Sequence, residues 1–473
     1  MIHFDNSYAR LPEDFYEKGE ADDFAKPRLL LFNKALAKEL KIKSEEQNED
    51  ELARVFSGQT VLKGSQPIAQ AYAGYQFGHP VPKLGDGRAL LLGETGGYDI
   101  QLKGCGTTEF SRNGDGRSSL GPVLREFIVS EAMHALKVPT SRALAAVATG
   151  EIIRRQFGPE PGAVFTRVAE SHIRVGTFQY FAFRREMKNL EILLNYSIDR
   201  HYPELSNIPD MKTKCFKFLE AVSKRQAELI SKWTAVGFVH GVMNTDNFSI
   251  PGITIDYGPC AFLDEFRYHK VFSSIDHHGR YSFYNQVSIG QWNILRLADC
   301  LLPFINEDLD RAADETSLFL SDKLSLFERL RSEKLAQKLG IENFKESDNE
   351  IIKSFLDYLE EQKLDFTLAF RNLPELNNES SEFYPESELL EKFLKLWRGR
   401  NPETEKLKEI NPLYIPRNHQ IQLAIEESYK GDLGKALELL KVLSKPFEFQ
   451  KELHDYSIPP EPEKRVCKTY CGT

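Results

Sequence analysis

Cysteine is scarce in this chain, with six residues in 473: Cys105, Cys215, Cys260, Cys300, Cys467 and Cys471. So few, spread over such a length, do not make a secreted disulfide framework. No apolar run approaches the ~18 residues needed to span a bilayer. The first residues, Met1 to Asn6, lack a basic segment followed by an apolar one. Positive charge is not in excess either. The net charge is −9 and the isoelectric point about 5.8. That argues against nucleic acid as the default partner, because phosphate backbones select basic surfaces. Low-complexity segments are absent, and the only repeat is a tetrapeptide. The expectation from these absences is a cytoplasmic protein with neither nucleic acid nor membrane among its partners.

What is present describes an ordinary globular chain, 41% hydrophobic and 28% charged. Its length exceeds the ~250–300 residues that one core fills, so two lobes are expected. Residues 1–58 read as an extension packed on the first lobe, with an amphipathic helix near Pro27–Leu40. From residue 59 the composition shifts to glycine and short strands. Two identical tetrapeptides, Gly85-Asp86-Gly87-Arg88 and Gly114-Asp115-Gly116-Arg117, flank a hairpin. Glycines let backbone N–H groups approach an anion, and the arginine adds a bidentate contact.

The hairpin runs Ala89–Leu92, then Glu94-Thr95-Gly96-Gly97, then Tyr98–Lys103. Ile100 and Leu102 share one face, and Asp99, Gln101 and Lys103 the other. A helix opens at Gly121-Pro122 and carries Glu126, either a surface residue or a partner for Lys103. Three more strands, Arg142–Ala148, Glu151–Gln156 and Ala163–Ala169, complete a sheet lobe over 59–175. Residues 176–455 read as a helical lobe, with helices at Lys212–Ala235 and Gln286–Ile305 among others, and 456–473 as an irregular tail.

The densest polar cluster lies between His240 and Gly258: a His-Gly turn, Asp246-Asn247, a β-prone run Ile253-Thr254-Ile255, and Asp256-Tyr257-Gly258. Polar groups at both ends of a short hairpin would converge on one point. Two carboxylates and an amide are the hard oxygen ligands a magnesium-nucleotide site uses. His277 and His278 beside Asp276 lack a third soft ligand at helical spacing and read as a charged loop.

Strand lysine, helix glutamate, Asp-Asn loop and Asp-Tyr-Gly follow one another as the parts of a protein kinase do. The pattern departs from a kinase at two places. Val242 stands where the catalytic aspartate belongs, with Asp246 the nearby carboxylate. Gly85-Asp86-Gly87-Arg88 is not the kinase glycine loop. Within these departures the sequence resembles the selenoprotein O family of kinase-like protein adenylyltransferases. The resemblance rests on Leu84–Arg88, Gln101–Gly104, Phe110–Arg117, Arg125-Glu126, Ser130–Met133, His240–Asn247, Ile255–Pro259, Gly279-Arg280-Tyr281, Asn411-Pro412 and Arg417-Asn418.

The resemblance implies an α+β, protein-kinase-like two-lobed fold that transfers AMP from ATP to Ser, Thr or Tyr hydroxyls of proteins, with UTP as a further donor. ATP would lie flipped relative to a kinase. Lys103, Asp115, Gly116, Arg167 and Arg174 would cradle the buried phosphates, and Gly85, Gly87 and Arg88 would line the other side. Asn247 and Asp256 would hold Mg²⁺ or Mn²⁺, Asp256 also contacting the nucleotide. Asp246 would be the base, and Glu126 would pair with Lys103. Some members of that family carry selenocysteine where this chain has Cys471, so the tail reads either as a frayed terminus or as a redox latch using Cys471 or Cys467. The rival activities are γ-phosphate transfer by a true kinase and nucleotide binding by an inactive scaffold.

Overall fold

The alternation in Tyr98–Lys103 produces a strand with two buried faces. In the computed structural model, which describes residues 2–156, 158–377 and 381–470, Ile100 and Leu102 pack into one core. Asp99 and Gln101 on the opposite face are buried as well. The strands in chain order are β1 (Tyr16–Lys18), β2 (Arg28–Phe32), β3 (Ile68–Gln70), β4 (Gly74–Gln76), β5 (His79–Val81) and β6 (Ala89–Thr95). They continue with β7 (Tyr98–Lys103), β8 (Arg142–Arg155), β9 (Gly158–Ala169), β10 (Phe238–Val239) and β11 (Ala261–Phe262). Seven of them form one antiparallel sheet in the order β1-β3-β6-β7-β9-β8-β2. The pairs β4–β5 and β10–β11 stand apart from it.

Two short helices, α1 (Lys34–Glu39) and α2 (Glu49–Ser57), cover one sheet face. On the other face lies α3 (Leu120–Ala135), with Phe127 edge-on to Phe165 of β9 at 6.4 Å. The remainder is helical: α4 (Val175–Arg184), α5 (Met187–His201), α6 (Met211–Val236), α7 (Gln286–Ile305) and α8 (Leu309–Lys338). Beyond these come α9 (Asn349–Gln362), α10 (Phe366–Arg371), α11 (Glu388–Gly399), α12 (Leu407–Ile410), α13 (Asn418–Tyr429) and α14 (Gly434–Leu443). Asp210 caps α6 through Thr213 N–H, and Gly237 closes it in the left-handed conformation. No helix among the described residues is long and apolar enough to cross a membrane.

Three expectations are corrected. The helix at Pro27–Leu40 is instead β2 followed by α1. Leu29, Leu31 and Phe32 pair with β8 at the sheet edge, and Asn33 then caps α1 through Leu36 N–H. Arg142–Ala148 and Glu151–Gln156 merge into β8, whose pairing with β9 runs through two register irregularities. Ile253-Thr254-Ile255 forms no hairpin. Thr254 makes an isolated parallel bridge with Thr140 and accepts Trp233 Nε1 at 2.8 Å.

Candidate active site

A two-residue strand pair brings the polar cluster together. β10 and β11 pair Phe238 with Phe262 and Val239 with Ala261, closing the chain around residues 240–260. His240 draws the loop in further. Its Nε2 donates to the Ile255 carbonyl at 3.0 Å, and its backbone N–H donates to Gln286 Oε1 at 3.0 Å. Burial lowers the pKa of the imidazole, so the ring is neutral and carries its proton on Nε2. The two ends of the cluster thus converge through a histidine, where the sequence suggested a hairpin.

Asp246 sits in a single 3-10 turn, Thr245–Asn247, and is 9% exposed. Gln76 Nε2 approaches its Oδ2 at 3.4 Å, while Oδ1 is buried with no partner among the described residues. Burial raises the carboxyl to about 6, against smaller lowering by a backbone hydrogen bond, Gln76 and Arg174. A carboxylate with an uncommitted oxygen and a pKa near neutrality is suited to accept a proton. The β4–β5 hairpin holds the turn from outside. Tyr75 N–H donates to Thr245 Oγ1 at 2.6 Å, and Phe77 N–H to Asn244 Oδ1 at 2.9 Å. Tyr281, from the Gly-Arg-Tyr motif, donates to the same Asn244 Oδ1 at 2.5 Å.

Lys103 and two arginines converge from β7, β9 and the start of α4. Lys103 Nζ lies 2.7 Å from Glu126 Oε2 and 2.6 Å from Asp256 Oδ1. Arg167 Nη1 reaches Asp256 Oδ1 at 2.9 Å and Glu126 Oε1 at 3.3 Å, and its Nη2 donates to Gln101 Oε1 at 2.7 Å. Arg174 lies 4.2 Å over the Tyr72 ring, 3.5 Å from Asp86 Oδ1 and 4.0 Å from Asp256 Oδ2. Burial acts to raise the Asp256 carboxyl, but Arg167, Lys103 and Arg174 outweigh it and hold the group well below the usual carboxylate range. Asp256 adopts φ +62°, a left-handed conformation that aspartate tolerates better than most residues.

The two Gly-Asp-Gly-Arg copies take different roles. Asp86 is buried, accepting from Gln70 N–H and Gln101 Nε2. Asp115 is half exposed and pairs with Arg155 at 2.7 Å. Gly116 at φ +65° packs so closely on Gly106 that a Cβ would stand 2.1 Å from its carbonyl.

Gly85, Gly87, Arg88, Lys103, Asp115, Gly116, Arg167, Arg174, Asp246, Asn247 and Asp256 all line one cavity of about 870 Å³, with Val242 among them. Glu126 lies behind Lys103 and faces an adjoining cavity. Tyr72, Gln76, Arg112 and Arg154 also line the main cavity. Arg112 lies within the Phe110–Arg117 motif, which gave it no role of its own; the sequence carried no signal for the other three, because an isolated tyrosine, glutamine or strand arginine is common on any surface.

The oxygen donors suit a divalent cation. Asn247 Nδ2 donates to Val242 O at 3.0 Å, which leaves Oδ1 for another partner. Asp256 commits Oδ1 to Lys103 and Arg167 and keeps Oδ2 no closer than 4.0 Å to Arg174. Two such hard oxygens fit an ion that completes its shell with phosphate and water. Among the described residues no group of three or more His, Cys, Asp and Glu gathers at metal-holding distance, His277 and His278 included.

Cys467 is exposed and free, and Cys105, Cys215, Cys260 and Cys300 are buried and free. Cys471 lies outside the described residues. The tail still reaches the loop at Val271–Ser274, through backbone pairing: Thr469 N–H donates to Phe272 O at 2.8 Å and Ser274 N–H to Thr469 O at 3.0 Å.

Comparison with known proteins gives a single answer. A family model described as "Protein adenylyltransferase SelO" matches residues 1–444. The protein nucleotidyltransferase YdiU of Rhizobium rhizogenes is 49% identical, covering 100% of this chain and 97% of the relative. The protein of the same name from Rhizobium meliloti is 47% identical over 100% and 99%. That from Agrobacterium fabrum is 46% identical over the whole of both chains.

Proposed function

The chain belongs to the protein adenylyltransferase SelO family and is a nucleotidyltransferase, and from that premise we propose that it transfers AMP from ATP to hydroxyl groups of proteins. Asp246 carries the reading: a buried carboxylate with a free oxygen, in the cavity that also holds Lys103, Arg167 and Arg174. In this mechanism a Ser, Thr or Tyr hydroxyl gives its proton to the Asp246 carboxylate while its oxygen attacks the α-phosphorus. The bond from the α-phosphorus to the bridging oxygen breaks, and pyrophosphate leaves. Lys103, Arg167 and Arg174 offset the charge that grows on it, helped by Asp115 and Gly116 backbone contacts, while Gly85, Gly87 and Arg88 line the other side of the nucleotide. Base catalysis supplies about 10²–10⁴-fold, and preorganised charge the larger share.

Asn247 and Asp256 would hold Mg²⁺ or Mn²⁺, which when bound supplies positive charge to the phosphate oxygens. Glu126 orients Lys103 through the ion pair at 2.7 Å. The proposed arrangement is kinase-like, with a sheet lobe over 59–175 and a helical lobe over 176–455. A reducing cytoplasm suits the five free cysteines among the described residues. UTP remains a candidate donor, because the contacts described concern phosphates.

Two labels on ATP test the reaction. Label on the α-phosphate is expected on protein and label on the γ-phosphate in pyrophosphate. Protein labelled only from the γ-phosphate would reject the proposal in favour of a kinase. Asp246→Asn is expected to lower α-label transfer at least 100-fold with nucleotide affinity held within threefold.

A further inference from the structure

Behind Lys103 lies a second cavity of about 520 Å³ that the reaction above does not use. Arg88, Lys103, Arg155 and Gly258 line both cavities, so the two adjoin. One wall of the second is the opening turn of α3, Ser119 to Val123, and another is the tail at Lys468–Tyr470. This helix start contributes its partial positive charge, although Pro122 has no N–H and Gly121 N–H is engaged by the Tyr429 hydroxyl.

The side chains point to a ligand independently of the helix. Ser119 is the N-cap of this 16-residue helix, yet its side chain makes no capping bond. The residue is 0% exposed and its Oγ has no partner among the described residues. A buried hydroxyl left so is destabilising unless something outside the chain completes it. Arg125, in the second turn, reaches Cys260 O at 3.4 Å and Asn418 Oδ1 at 3.5 Å and interacts with the Cys260 side chain. It forms no ion pair among the described residues, although burial lowers its pKa. Lys468 likewise has no carboxylate partner there. The acids of this cavity are already engaged: Glu126 with Lys103 and Arg167, and Glu160 with the Tyr429 hydroxyl.

We propose that this chamber is a second phosphoryl-anion site, which receives the pyrophosphate released from the nucleotide cavity through Ser119, Arg125 and Lys468. The inference rests on the AMP-transfer reading for its ligand. Pyrophosphate that forms beside Lys103 keeps compensating charge as it moves past Arg88 and Lys103 into the adjoining space.

The test is calorimetric titration of inorganic pyrophosphate, in excess Mg²⁺, into full-length protein saturated with a non-hydrolysable ATP analogue. One binding event is expected. It should weaken at least tenfold in Arg125→Gln and in Ser119→Ala, with analogue affinity unchanged. Ser119→Ala removes one unpartnered oxygen and keeps the fold secure should Arg125→Gln lose stability. No binding to the saturated protein, or equal binding by wild type and Ser119→Ala, overturns the site. Orthophosphate binding as tightly as pyrophosphate overturns its assignment to the leaving group. The titration reads anion binding alone, so its failure is separable from failure of the labelled-ATP experiment.

Discussion

Asp246 and His201 show one physical cause with opposite numerical results. Burial disfavours charge in both, raising the carboxyl to about 6 and lowering the imidazole to about 3. For His201 the neighbouring Arg200 and Arg225 add to the effect of burial. Its Nε2 lies 2.8 Å from Ser171 Oγ. Because the folded value is depressed, the unfolded chain takes up a proton below about 6.5 that the folded chain refuses. Stability is therefore complete above 6.5 and is lost as pH falls toward 3, by up to about 1.4 kcal/mol per pH unit. His201→Gln keeps a hydrogen-bonding group toward Ser171 without titrating. Urea unfolding measured from pH 7 to pH 4 should fall less steeply in the variant, by roughly 1 kcal/mol per unit. Parallel pH profiles for the two proteins would show that His201 does not set the acid limb. Neither shift was legible in the sequence, where His201 is one of eleven histidines and Asp246 was singled out by its neighbours alone.

At the scale of elements, period and capping were readable, and the burial of polar faces was not. α6 and α7 lie where their apolar periodicity and Gly237 put them. β7 alternates as its sequence says, yet Asp99, Gln101 and Lys103 face partners instead of water: Arg200 and His172 for Asp99, Arg167 and Asp86 for Gln101, Glu126 and Asp256 for Lys103. Those partners come from β9, the loops before β6 and after β9, α3, α5 and the 240–260 loop, so only the folded chain reveals them. β2 was misread because Leu29–Phe32 is apolar enough for either a helix or a strand, and sheet pairing decided it. The β4–β5 hairpin left no pattern at all, being three residues on each side. It nevertheless meets the turn that carries Asp246, and a Cβ on Gly74 would lie 2.5 Å from Asp246 Oδ1. Gly74→Ala should therefore displace this carboxylate. AMP transfer is expected to fall at least tenfold, with ATP affinity within threefold and thermal stability nearly unchanged. Wild-type turnover in this variant would remove the hairpin from the account of the site.

Over the whole molecule the distribution of charge matters more than its sum. The chain carries a net −9, while the cavity gathers Lys103, Arg167 and Arg174. A total could not disclose that concentration, although the pattern of motifs pointed to it. The C-terminal helices are tied to this core by another buried arginine. Arg417, 1% exposed at the N-cap of α13, contacts Asp264 just beyond β11 at 2.5 Å and Asp365 at the N-cap of α10 at 2.8 Å. Its Nη2 also donates to Ser457 O at 3.0 Å. Four segments far apart in sequence thus meet at one guanidinium. Arg417→Ala leaves the buried Asp365 and the partly buried Asp264 without this cation, which costs about 3–5 kcal/mol. Arg417→Lys restores the charge without the planar fork and should recover part of the loss. The urea midpoint is expected to fall strongly in the first variant and less in the second. Arg417 does not line the cavity around Asp246, so the fraction that remains folded should transfer AMP at the wild-type rate. A loss below 1 kcal/mol in Arg417→Ala would mean that α13 and α10 are held to the core by their apolar contacts instead.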